Sequence, residues 1–217
     1  MQTATPAPAR GRFITLEGID GAGKSTHIPA IAELLRAHGK RVVTTREPGG
    51  TSLGEGLRAL VLKERMEHDT ETLLIFAARR EHIVQTIAPA LARGDWVVCD
   101  RYTDATWAYQ GGGHGVSAAL IEALECEVVG GLVPDVTLLF DLAETLSRER
   151  RNRARTRPDD ADKFEREPDA YFERVRAVYR ARAAADPERF RVIDASRPVA
   201  GIRTDLVQII ESICAPG

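Results

Sequence analysis

Phe13-Ile-Thr-Leu-Glu-Gly18-Ile-Asp-Gly-Ala-Gly-Lys-Ser-Thr26 runs from an apolar stretch through a glycine-rich turn into a helical pattern. Gly18 to Ser25 fits G-x-x-x-x-G-K-[ST] at every fixed position, directly after a strand-like run and at the opening of a helix. Glycines let successive backbone N–H groups turn inward around a phosphate, where side chains would collide. The helix N-terminus adds the positive end of its dipole. Lys24 has the length to reach the β- and γ-phosphates, and the Ser25 hydroxyl can ligate Mg²⁺. Gly18, Ile19, Asp20, Gly21, Ala22, Gly23, Lys24, Ser25 and Thr26 are therefore expected to hold a nucleoside triphosphate.

Outward from this loop, short β-rich apolar runs alternate with helical patterns. Strands are expected at Phe13–Glu17, Arg41–Thr45, Trp96–Asp100, Val136–Asp141 and Phe190–Asp194. Helices are expected over 24–38, 53–64, 71–93, 117–129, 143–156, 169–185 and 199–213, with kinks or early ends at Pro29 and Pro89. Strands apolar on both faces and joined by helices describe an α/β fold with a parallel sheet and right-handed crossovers. No internal repeat interrupts the pattern, and one domain over 12–217 follows, after a disordered tail over 1–11.

Composition narrows the function. The 217 residues carry a formal net charge of −2, which argues against a protein that coats DNA. No apolar run approaches the roughly 18 residues of a membrane span, and the first dozen residues lack the apolar centre of a signal peptide. Cys99, Cys126 and Cys214 are widely spaced and form no paired motif. A reduced, cytoplasmic protein without disulfides or a cysteine metal site is expected. Only four of the 30 Lys and Arg residues are lysines. Codon bias accounts for such a skew as well as function does, but six arginines against one acid between Arg148 and Arg157 stand apart. The charged excursion over 148–168 contributes little to a core and reads as a mobile lid, a solvated helix face or an RNA-touching patch.

The Asn-Lys-x-Asp element that a GTPase needs for guanine is absent, and the chain is short for a motor. Small kinases remain. Three further blocks are specific: Phe76-Ala-Ala-Arg-Arg80, Asp100-Arg-Tyr-Thr-Asp-Ala-Thr-Trp-Ala-Tyr-Gln-Gly111, and the arginine-rich excursion with Asp162-Lys-Phe-Glu165. With Gly18–Thr26 and Arg46–Thr51, they closely resemble the thymidylate kinases over residues 13 to about 213. The resemblance implies a three-layer P-loop kinase fold: a five-stranded parallel sheet flanked by helices, with a mobile lid. It also implies a homodimer, while the charge balance and the lack of a long apolar run set the expectation of no nucleic-acid and no membrane partner. The implied reaction moves the γ-phosphoryl of ATP, with Mg²⁺, onto the 5′-phosphate of dTMP. The products are dTDP and ADP, in the supply of dTTP for DNA synthesis.

Residue chemistry and resemblance can be set side by side. Asp100 and Arg101 stand at the carboxyl edge of a strand, where doubly wound sheets bind ligands. Asp100, with Ser25, fits a metal site; Arg101 can clamp a phosphate, and its counterpart grips the acceptor phosphate. The alternative, a strand-end ion pair between the two neighbours, is the lesser reading beside a phosphate loop. Phe76 and Arg80 lie four apart on one helix face. Phe76 alone reads as core, but the resemblance implies that it stacks on thymine while Arg80 contacts O4. It further places Thr106 and Gln110 near the base, Tyr109 where a ribose 2′-hydroxyl would be, and Asp20 at the acceptor's 3′-hydroxyl. Glu47, within Arg46–Thr51, and Arg58 match the acceptor wall. Asp194-Ala-Ser196 matches the turn beside adenine and reads equally as a plain turn.

A phosphate monoester has its second pKa near 6, so the acceptor dianion needs no general base. The remaining task is positioning and charge neutralisation. One thymidylate kinase subclass has an arginine where this chain has Gly21. The resemblance therefore points to the bacterial subclass that brings arginines from the lid, with Arg153 and Arg155 favoured as catalytic alongside Lys24, Arg101 and Asp20. Departures are Lys163 where Arg is common, Ala105 for a frequent Ser, and His114 for a frequent Arg. His114 reads as an exposed loop residue with no metal-ligand spacing.

Overall fold

A computed structural model describes residues 10–154 and 163–215. The strands are β1 (Phe13–Glu17), β2 (Val42–Arg46), β3 (Trp96–Asp100), β4 (Val136–Asp141) and β5 (Phe190–Asp194). All pair in parallel in the order β2-β3-β1-β4-β5. The chain reverses its winding at β1 and β3, so the ends of these two strands open a crevice. Leu16 lies opposite Asp100 in that register. Gly18 follows β1 at φ +133°, and a Cβ there would stand 2.4 Å from the Phe140 carbonyl oxygen.

The helices are α1 (Lys24–Ala37), α2 (Ser52–Lys63), α3 (His68–His82), α4 (Ala88–Ala92), α5 (Thr103–Thr106), α6 (Ala118–Leu124), α7 (Glu144–Ala154), α8 (Asp169–Ala185) and α9 (Val199–Cys214). Ile14, Leu16, Val98, Leu138 and Phe140 are wholly buried between the helices that flank the sheet. The helix expected over 71–93 is divided. A wider π turn over Ile83–Ile87 separates α3 from α4, and Pro89 falls in the first turn of α4. Proline lacks the N–H of a regular interior position, so a new start there removes the conflict. Pro29, by contrast, lies inside an uninterrupted α1.

A second difference matters more. The stretch after Arg101 is helical: α5 runs into a π turn over Trp107–Gly113 that packs on α8. Glycines 111–113 hide this helix from sequence reading, yet Gly112 and Gly113 are what lets α8 approach. A Cβ at Gly113 would stand 2.3 Å from the Tyr171 ring. At the N-terminus, Arg10 and Gly11 are fixed rather than part of a tail: Arg10 pairs with Asp135, and the Gly11 N–H donates to the Leu91 carbonyl. The rest of the expected tail lies outside the described residues.

Candidate active site

The glycine turn after β1 and the start of α1 form one side of a wide cleft. Its walls include Lys24, Ser25, Asp100, Arg101, Arg150, Arg151 and the Ser196–Val199 turn. Lys24 is buried and donates from Nζ to the carbonyls of Gly18 (2.9 Å) and Ile19 (3.2 Å). Burial, then the neighbouring Arg101 charge, lowers its ammonium to a pKa of about 8. The Ser25 hydroxyl points at Asp100 Oδ2 at 3.5 Å, and Asp100 Oδ1 is buried without a hydrogen-bond partner. An orphaned carboxylate oxygen beside a hydroxyl suits a divalent cation, so these two residues fit a Mg²⁺ site.

Gly21 has φ +77°, and a Cβ there would lie 2.9 Å from the Ser147 carbonyl oxygen and 3.2 Å from Arg151 Cγ. Helix α7 thus occupies the space a residue 21 side chain would need, and the Ser147 hydroxyl donates to the Asp20 carbonyl at 2.6 Å. Arg151 is buried, with its guanidinium 4.3 Å from the Phe172 ring and bonded to the Glu165 carbonyl.

A second cavity opens beyond Asp20 and Arg101. Glu47, Arg58, Ile75, Arg79, Thr106, Tyr109, Gln110 and Phe164 line it. Arg79 is 1% exposed. It donates from Nε to Glu47 Oε2 (2.7 Å) and from Nη2 to the Tyr102 carbonyl and Thr106 Oγ1 (both 3.0 Å). Its Nη1 is buried with no partner. Glu47 is held in turn by His82 Nδ1 at 2.9 Å, and Arg58 donates to the Pro48 carbonyl.

Arg101 joins the two cavities. It is a non-glycine residue with φ 70°, a conformation that costs of order 1–3 kcal/mol and persists where surroundings impose it. Its guanidinium donates to the Gly18 carbonyl (3.0 Å), the Tyr179 hydroxyl (3.1 Å), Asp20 Oδ1 (2.7 Å) and the Tyr109 hydroxyl (2.9 Å). Tyr109 OH donates to Asp20 Oδ2 at 3.0 Å. Burial pushes the Asp20 carboxyl up, but Arg101, Lys24 and Tyr109 outweigh it and hold the acid below its usual range. Behind this group Glu17 accepts from the Tyr102 N–H and the Tyr179 hydroxyl, and burial followed by Asp104 raises it to about 7.

A phosphate loop, an acid–serine pair and a second cavity that shares Asp20, Glu47, Arg58 and Arg101 with the first describe a two-substrate site, and comparison with known proteins specifies it. The thymidylate kinase family model matches residues 16–206. The chain belongs to the thymidylate kinase family. It is 61% identical to the thymidylate kinase of Bordetella petrii, over 91% of this chain and 94% of that one. It is 58% identical to that of Cupriavidus necator, over 94% of this chain and all of the relative. A crystal structure of thymidylate kinase from Ehrlichia chaffeensis superposes with a TM-score of 0.74 at 33% identity, covering 93% of this chain and 99% of that one.

Phe76 and Arg80, the pair expected at the base, do not line the second cavity. Phe76 is 1% exposed and packs in the core with Phe13, Val97 and Tyr102, away from the cavity. Arg80 is exposed and donates to the Val128 carbonyl. The i, i+4 pair on the cavity wall is Ile75 and Arg79. Spacing alone does not separate the two pairs; what could have is that Arg79 must be buried to reach Glu47, a contact between distant segments.

Asp100 and Arg101 are not an ion pair between neighbours, since Arg101 turns to Asp20. Ser196 donates to Asp194 and lines the donor cleft. Arg153 is exposed, paired with Glu149 at 3.8 Å, and outside the cleft lining. Arg150 and Arg151 line the cleft instead; Arg155 and the rest of 155–162, the middle of the expected lid, lie outside the described residues. His114 is not an exposed loop residue. Its side chain is 8% exposed, and its ring stacks on His68 at 3.9 Å. His68, Glu71 and His114 bring possible ligand atoms within 4.8 Å of one another. Glu71 is nevertheless satisfied without an ion, by Lys163 and Gln110. Among the described residues no helix is long and apolar enough to cross a membrane.

Proposed function

We propose that this chain transfers the γ-phosphoryl group of ATP to the 5′-phosphate of dTMP, giving dTDP and ADP in the supply of dTTP. The observation that carries the reading is the junction of the two cavities at Arg101. A phosphate brought into the second cavity meets this guanidinium within reach of the glycine turn. The acceptor is already a dianion at neutral pH, so the site needs to align and neutralise, not to abstract a proton. Lys24, Arg101, Arg150 and Arg151 supply positive charge around the cleft. Asp20 fixes Arg101 and, with Tyr109, presents polar groups to the sugar. The unpartnered Arg79 Nη1 offers a donor to a base carbonyl. Ser25 and Asp100 would hold Mg²⁺, which supplies charge neutralisation on the triphosphate when bound.

We infer a homodimer in the cytoplasm as the working form. Supporting the dimer are the exposed apolar residues Leu53 and Leu60 of α2, Leu73 of α3 and Val84. Supporting the setting are three free cysteines. The acceptor reading is tested by thermal unfolding with added nucleotides, since a ligand of the native state raises Tm by mass action. dTMP without ATP should raise Tm, and Arg79→Met should abolish that rise. Equal shifts from dTMP and dCMP would count against it.

A further inference from the structure

Glu71 sits in the first turn of α3, 1% exposed, beside the base end of the acceptor cavity. Its Oε1 accepts from Gln110 Nε2 at 2.8 Å, and its Oε2 meets Lys163 Nζ at 2.6 Å. Lys163 also donates to the Glu64 carbonyl at 3.1 Å and supplies the counter-charge a buried carboxylate requires. The next residue, Phe164, lines the cavity and meets Tyr109 edge-on at 6.0 Å.

Ionised carboxylate oxygens only accept hydrogen bonds. The Gln110 amide is therefore not free to turn: its NH₂ end must face Glu71. That leaves the carbonyl Oε1 as the acceptor Gln110 can offer the cavity it lines. Of the two buried uncommitted donors on this cavity's lining residues, the Tyr102 hydroxyl and Arg79 Nη1, the cationic Arg79 is taken with Gln110 Oε1 as the recognising pair. A pyrimidine imide edge presents an N3–H donor beside a C4 carbonyl acceptor, the complement of this pair. Cytosine presents an N3 lone pair and a 4-amino donor, which would face Gln110 Oε1 and Arg79 with like against like. Leaving a buried polar group unpaired costs more than a made hydrogen bond returns, so such a mismatch discriminates strongly.

We propose that Glu71, clamped by Lys163, is a positioning residue that sets base specificity by fixing the Gln110 amide, so that imide pyrimidines are accepted and cytosine is refused. The inference rests on dTMP being the acceptor. It adds a determinant that does not itself touch substrate.

The test compares kcat/KM for dTMP and dCMP at saturating ATP and Mg²⁺. In Glu71→Gln the residue can donate as well as accept, so Gln110 can reverse. The dTMP-to-dCMP ratio should fall by about tenfold or more, the worth of one hydrogen bond, with the loss for dTMP mainly in KM. Lys163→Met should lower the ratio in the same direction and Lys163→Arg should restore it. In a Gln110→Ala background, Glu71→Gln should change the ratio no further. An unchanged ratio in folded Glu71→Gln overturns the proposal; where that variant does not fold, an unchanged ratio in Lys163→Met does so. A wild-type chain that shows no preference for dTMP over dCMP overturns the thymidylate reading itself. That outcome is distinct from a preference that survives both substitutions.

Discussion

Arg101 holds an unfavourable φ so that a single guanidinium can touch the glycine turn, Asp20 and two tyrosines. Lys24 carries a comparable tension, being a cation in a buried place beside another cation. Its pKa near 8 has a consequence for ligand binding. Above pH 8 part of the free protein has neutral Lys24, while a bound triphosphate restores the ammonium. ATP binding at pH 8.5 should therefore take up protons, and affinity should weaken as pH rises through that range. Calorimetry in buffers of different ionisation enthalpy measures this; binding with no proton uptake would contradict it. At this scale the sequence was legible where motif and chemistry coincide: Lys24, Ser25, Asp100, Arg101 and Tyr109 all line the joined cavities. It was not legible at Phe76 and Arg80. Choosing between adjacent i, i+4 pairs requires knowing which helix face meets β2's following loop, where Glu47 waits for Arg79. Glu71 and Lys163 escaped for the same reason, since their roles exist only across 92 positions of chain.

The elements show what a glycine and a helix can exclude from each other. Helix α7 lies over the phosphate loop because Gly21 has no side chain, and this brings Arg151 to the cleft. An arginine at position 21 and this placement of α7 are sterically exclusive, which gives the sequence argument from Gly21 a physical basis. Gly21→Ala should cost about 1–3 kcal/mol through its positive φ alone. It should also displace α7, lowering Tm and reducing kcat by about tenfold or more, an effect of about 1.4 kcal/mol on the barrier. Unfolding curves and steady-state rates that match wild type would show that α7 is not seated by this contact. β1, β3 and β4 were the most readable elements, because runs apolar on both faces have few alternatives; the edge strands β2 and β5 are only partly buried. The helix from Thr103 to Gly113 was the least readable. Its glycines signal a loop locally, and the close approach of α8 explains Gly112 and Gly113.

For the whole molecule, the strand order creates one crevice, and the charge skew resolves into pairs and positions. Asp104, wholly buried, takes both Arg182 and Arg189, and Asp141 takes Arg176. Many arginines of the second half therefore hold the fold together instead of facing a polyanion. The apolar residues left exposed on α2 and α3 are the surface that the proposed dimer would cover. Wild-type protein should sediment at twice the 23.8 kDa chain mass, and Leu60→Glu should shift it to the single-chain mass. A wild-type monomer at micromolar concentration would contradict the dimer. The central claim is that two cavities meeting at Arg101 form a phosphoryl-transfer site for dTMP. It is tested most directly by coupled measurement of ADP release from ATP and Mg²⁺ with dTMP, dCMP, dGMP and UMP in turn. Strong stimulation by dTMP over the other three, lost in Arg101→Ala, is the predicted result; equal stimulation by all four, or none by dTMP, would contradict it.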